Sequence, residues 1–97
     1  MKQHKLTQAA DADIDRLYEW GIDTFGVEQA DAYLSKLERA FETIALNPGI
    51  GRVREEFGSD IRVYVVQVHV VLYTMTGDGG VLIVRVRPAR EDWLGSP

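Results

Sequence analysis

The hydrophobic period of this chain changes once, at Asn47-Pro48-Gly49, and that switch limits the fold more than any other feature. Upstream, apolar residues recur at three- and four-residue spacing, the mark of amphipathic helices. Downstream they crowd into short runs rich in Val, Ile and Tyr, as strands prefer. Pro48 cannot continue a helix and biases Asn47 away from helical backbone, so the two regimes cannot merge into one element.

The upstream half divides in two. Thr7 is placed to cap a first helix, and Asp11, Asp13 and Asp15 fill its early turns, where the helix dipole favours acids. Ile14, Leu17, Tyr18, Gly21 and Phe25 then fall on one stripe, and Gly26 supplies a stop. A second helix from about Val27 to Ala45 carries Ala30, Tyr33, Leu34, Leu37, Phe41 and Ile44 on one face. Two amphipathic helices joined by a tight Gly turn predict an antiparallel hairpin. Neither can bury its stripe alone.

The downstream half offers the cover. Ile61–Val65, Val68–Met75 and Val81–Arg87 read as strands, the last two joined by the Gly-rich turn Thr76-Gly77-Asp78-Gly79-Gly80. Lys2 to Leu6 reads as a short edge strand. Strict alternation sets Ile61, Val63 and Val65 against Arg62 and Tyr64, and Leu82, Val84 and Val86 against Ile83, Arg85 and Arg87. The expected architecture is α+β in two layers: a helical hairpin packed on a three- to four-stranded, mainly antiparallel sheet. Its free face should present arginines and tyrosines. Residues 1–97 are read as a single domain.

Composition excludes several classes. The chain has no cysteine, so disulfides and thiolate metal sites are out. The first fifteen residues lack the apolar run of a secretory signal. The apolar stretch Val63 to Met75 is broken by Gln67 and His69 and is too short to span a bilayer. A soluble, cytoplasmic protein without a membrane partner is expected. The net charge of −4 argues against direct binding of nucleic acid. All six Lys or Arg residues of positions 49–97 are arginine, which suits bidentate contacts to carboxylate or phosphate.

Several short pieces, taken in order, carry a resemblance. They are Leu6-Thr7-Gln8-Ala9-Ala10 before an acidic helix, Phe25-Gly26 with Gln29-Ala30 and Tyr33, and Asn47-Pro48-Gly49-Ile50-Gly51-Arg52. His69-Val70-Val71-Leu72-Tyr73, Ile83-Val84-Arg85-Val86-Arg87, and Arg90 with Asp92-Trp93 complete the series. Together, from about Leu6 to Trp93, they resemble the ParE branch of the RelE/ParE superfamily of toxins from bacterial toxin–antitoxin pairs. The resemblance implies a strand, two helices and three further strands. It also implies a cognate antitoxin, and inhibition of DNA gyrase through protein–protein binding. One departure is the ending, where Arg87 and Pro88 stand in the last two places of the family's frequent Arg-Val-Leu-His. Pro88 should end the final strand.

RelE-like relatives cleave messenger RNA on the ribosome, and that endoribonuclease activity is the alternative reading. It needs a base, an acid and cations at the scissile phosphate. Arg62 and Arg90 stand near two of the cationic positions, but Tyr64 and Val70 occupy others, and no Tyr follows Arg90. The set lacks its acid–base members, so no catalytic residue is expected and the chain is read as a non-enzyme.

The partner-binding candidates are Arg62, Arg85, Arg87, Arg90 and Trp93. Arg62, Arg85 and Arg87 are expected on one sheet face, either meeting an acidic partner segment or paired with Glu55, Glu56, Asp60, Glu91 or Asp92. Trp93 is either a lid on the core or an exposed anchor. Trp20 is expected in the core and His69 half-exposed on a neighbour. Ile22, Val27 and Leu46 are helix-rim positions that an antitoxin would cover. Asp11, Asp13 and Asp15 lack the glycine and distal glutamate of a calcium loop and are read as a solvated helix start. No metal or cofactor is expected.

Overall fold

Thr7 begins the fold by two hydrogen bonds from one hydroxyl. Its Oγ1 accepts from the Ala10 amide at 3.0 Å, capping α1 (Gln8–Phe25), and donates to the Val84 carbonyl at 2.7 Å. The computed structural model describes residues 3–89. Gly26, at φ +95°, reverses the chain where a side chain would be strained. The second helix, α2 (Val27–Leu46), then returns antiparallel and ends at Asn47, before a short 3-10 turn over Pro48–Ile50.

Among the described residues, one sheet of five strands lies under the hairpin: β1 (His4–Leu6), β2 (Arg52–Val53), β3 (Arg62–Val66), β4 (His69–Met75) and β5 (Val81–Pro88). Their order is β1-β5-β4-β3-β2, with β1 parallel to β5 and every other pairing antiparallel. The class is the expected α+β. The count exceeds the expected three to four strands because Arg52–Val53, lying in a loop, adds a two-residue strand. β5 ends at Pro88, as a residue without an amide donor requires.

The core joins Leu37, Phe41 and Ile44 of α2 to Val71, Tyr73, Ile83 and Val86 of the sheet. This corrects the expected facing of the sheet. Tyr64, Tyr73 and Val66 turn toward the helices, while Val65 is exposed. A tyrosine is buried cheaply when its hydroxyl finds partners. Tyr73 does so: its hydroxyl donates to the Pro48 carbonyl at 2.7 Å and accepts from the Gly51 amide at 2.8 Å. Gly51 is required there, because a Cβ would lie 2.6 Å from that hydroxyl oxygen.

The alternation of β5 fails too. Leu72 pairs with Arg85 and Tyr73 with Ile83, so Val84 is an extra residue, a β-bulge. The bulge lets both Ile83 and Val86 reach the core, which strict alternation forbids.

Candidate partner-binding site

The hairpin covers the sheet incompletely. Gly21 is buried and packs close to Ala30, drawing α1 and α2 together. The flanking aromatics are left outside that contact. Trp20 and Phe25 meet edge-on, centroids 5.5 Å apart and planes at 80°, yet are 59% and 57% exposed. The expectation that Trp20 lies in the core is therefore corrected. Its neighbour Gly21 takes the inward position, and Trp20 falls one helical step (about 100°) away from it. Across from Trp20, the β3–β4 turn holds Gln67 at φ +53° and leaves Val68 66% exposed.

Trp20, Leu17, Val68 and His69 thus border two hollows. The first, about 370 Å³, lies toward α2 and is floored by Gly21, Ala30 and Tyr33, with Lys36 at its margin. The second, about 600 Å³, lies between α1 and β5, walled by Asp13 and Arg16 on one side and Val86 and Arg87 on the other. Asp13 is the only acid lining either hollow among the described residues.

Asp13 is 4% exposed. Its Oδ1 accepts from Arg16 at 3.0 Å, Arg85 at 3.0 Å and Arg87 at 3.3 Å. Its Oδ2 accepts from Arg85 Nε at 2.8 Å and the Val86 amide at 3.0 Å. Burial pushes its carboxyl upward. The Arg85 and Val86 hydrogen bonds, the Arg85 charge and the Arg16 contact outweigh that and hold it below the ordinary carboxylate value. The reading of Asp13 as solvated is corrected; Asp11 and Asp15 are the exposed members of that trio. The spacing held the signal, since Asp13 stands three residues after buried Ala10 and four before Leu17, on the inward stripe.

The arginines are not brought together on one face. Arg62 pairs with Tyr73 in the ladder, whereas Arg85 and Arg87 pair with Leu72 and Val70, which point the other way from Tyr73 and Val71. Arg62 donates to the Gly51 carbonyl at 2.7 Å and so braces the loop after α2. Of the acids named as alternative partners, Glu56 pairs with Arg54 at 2.9 Å. Arg85 and Arg87 both meet Asp13, while Glu91 and Asp92 lie outside the described residues. Arg90 and Trp93 lie outside the described residues. Of the rim positions, Val27 and Leu46 are exposed and Ile22 is half-buried.

His69 is half-buried, as expected, and its partner is Tyr33. The Tyr33 hydroxyl donates to the Val66 carbonyl at 3.0 Å and lies 2.7 Å from His69 Nδ1. The hydroxyl has a single proton for these two contacts, so the tautomer of the imidazole decides whether Nδ1 donates to it or accepts from it. Burial holds the His69 pKa below its ordinary value. Arg62 stands opposite Tyr73 and His69 opposite Val66, four rungs of the ladder apart, or roughly 13 Å. These two groups therefore do not share one phosphate-sized site. No cluster of three potential metal ligands exists among the described residues, and none of their helices is long and apolar enough to cross a membrane.

A protein family described as the ParE toxin of the type II toxin–antitoxin system parDE matches residues 5–93. Toxin ParE1 of Mycobacterium tuberculosis is 34% identical over 90 residues, spanning 93% of this chain and 92% of its own. Toxin ParE1 of Caulobacter vibrioides is 36% identical over 73 residues, 75% of this chain and 76% of its own. Among solved structures, a chain from the chromosomal ParDE TA system of P. aeruginosa aligns with a TM-score of 0.78. It covers 93% of this chain and 97% of that one; at 17% identity it shows the fold alone.

Proposed function

The chain belongs to the ParE toxin family of type II toxin–antitoxin systems, and from that premise we propose that it inhibits DNA gyrase by protein–protein binding. A cognate antitoxin then neutralises it by covering the hollows beside Trp20. The action is steric and conformational, with no covalent chemistry of its own, and needs neither metal nor cofactor. The observation that carries the reading is the uncovered apolar ground around Trp20, Phe25 and Val68. Contiguous exposed apolar surface with a polar rim is a mark of a partner site.

Charge supports an acidic occupant. Lys36 borders the first hollow and Arg16 and Arg87 the second, and Asp13 is buried beneath three guanidiniums. An amphipathic segment with apolar anchors and flanking carboxylates fits such a surface. The partner-binding role of Arg62, Arg85, Arg87, Arg90 and Trp93 belongs to this same proposal. Arg62 enters it indirectly, through the loop it braces.

The ribonuclease alternative has less support. It would need Arg62 at a phosphate, whereas its guanidinium is engaged by loop carbonyls, and it would need an acid–base pair nearby. The experiment is a supercoiling assay with purified toxin, with and without the product of an adjacent antitoxin-like reading frame. Inhibition that this product relieves is the expected result. Unaltered gyrase at stoichiometric excess of toxin counts against the proposal, and efficient ribosome-dependent cutting of a reporter mRNA would replace it.

A further inference from the structure

Among the described residues, β5 has a strand neighbour on its outer edge only over residues 81–83. β1 stops at Leu6, opposite Ile83. The Thr7 amide then donates to the Ile83 carbonyl at 3.0 Å, and the Thr7 hydroxyl to the next carbonyl, Val84. Successive carbonyls facing the same edge are a product of the bulge, since a regular strand alternates sides. Beyond it Val86 turns its N–H to that same outer edge. Ala89 faces β4, where its amide donates to the Val68 carbonyl at 2.8 Å. Pro88, the next edge-facing residue, has no N–H to offer. The Val86 amide is thus the one edge donor of this stretch, and Asp13 Oδ2 accepts it.

We infer that Asp13 is a positioning residue: a strut that takes the place of a neighbouring strand on the second half of β5 and fixes the gap between α1 and β5. The same carboxylate ties Arg16 from the α1 wall and Arg87 from the β5 wall of the larger hollow. Asp13 therefore sets both the width of that hollow and the direction of the guanidiniums beside it. That consequence for partner recognition rests on the function proposed above. The strut itself does not, because its geometry involves this chain alone.

Native-state amide exchange of the full chain by NMR tests the strut without any partner. In Asp13→Ala, exchange at the Val86 amide is expected to rise at least tenfold more than at the Val71 and Ile83 amides, which Asp13 does not touch. Asp13→Asn keeps a neutral acceptor in place, so the selective rise there is expected to be about threefold. If Asp13→Ala does not fold, Asp13→Asn carries the test. Equal acceleration at all three amides would reduce Asp13 to a contributor to global stability, and no acceleration at Val86 would remove it altogether. Either result overturns the inference.

Discussion

Removing one oxygen from Tyr73 isolates what the buried hydroxyl contributes. Tyr73 is fully buried, and Tyr73→Phe keeps the ring in place while deleting both the donor to Pro48 and the acceptor for Gly51. The Gly51 amide belongs to a buried residue, so it is left without a partner. An orphaned buried donor costs about 1–3 kcal/mol, and the lost bond to the partly buried Pro48 carbonyl adds about 0.5–1.5 kcal/mol. A loss of roughly 2–4 kcal/mol is therefore expected, which lowers the midpoint of a domain this size by about 10–20 °C. Tyr64→Phe is the matched control, because its ring packs on the same core but its hydroxyl makes no hydrogen bond among the described residues. Urea and thermal unfolding followed by circular dichroism give both values, provided each variant unfolds in two states. If Tyr73→Phe falls within about 0.5 kcal/mol of Tyr64→Phe, the loop after α2 is not pinned in this way.

Gly51→Ala should destabilise by at least about 1–3 kcal/mol, the range for forcing a methyl into a packed site. Tyr73→Phe should not rescue it, since the added Cβ would also meet Tyr73 Cε1 at 2.7 Å; rescue in a double-mutant cycle would contradict the geometry. His69, whose folded pKa is lowered by burial, makes the unfolded chain bind more protons as pH falls through about 6.5. Wild-type stability should accordingly decline from that pH downward, and His69→Gln should flatten this part of the profile; identical slopes in the two proteins refute the assignment. Trp20→Ala and Val68→Asp should each leave the unfolding midpoint of the free toxin within a few degrees, because both side chains are more than half exposed. Each should weaken antitoxin binding at least about a hundredfold by calorimetry, and unchanged affinity in both would place the antitoxin elsewhere.

The period of the sequence revealed the elements, because helical and strand spacing are local properties. Thr7, Gly26, Asn47-Pro48 and the turn at Thr76–Gly80 all stand where the chain caps, reverses or stops. Which side of each strand faces the helices was not legible. Tyr73 reads as an outward residue until its two loop partners are known, and the bulge at Val84 depends on Thr7, 77 residues away in sequence. Asp13 was half legible: its place on the inward stripe was visible, but a carboxylate there makes sense only once three arginines and an edge amide surround it. Trp20 failed for the opposite reason, since Gly21 took the inward position and allowed the helices to close without it.

The pairing of β1 with β5 has a consequence for synthesis. The first strand cannot find its neighbour until residues 81–83 have been made, long after the helical hairpin is complete. Elongation from the end of α2 to the end of β5 takes roughly two to eight seconds at bacterial rates of about 5–20 residues per second. Throughout that interval the inward stripes of both helices have no sheet to lie on. A nascent toxin is therefore incomplete, and most open to capture by other chains, until β5 has been made and has emerged.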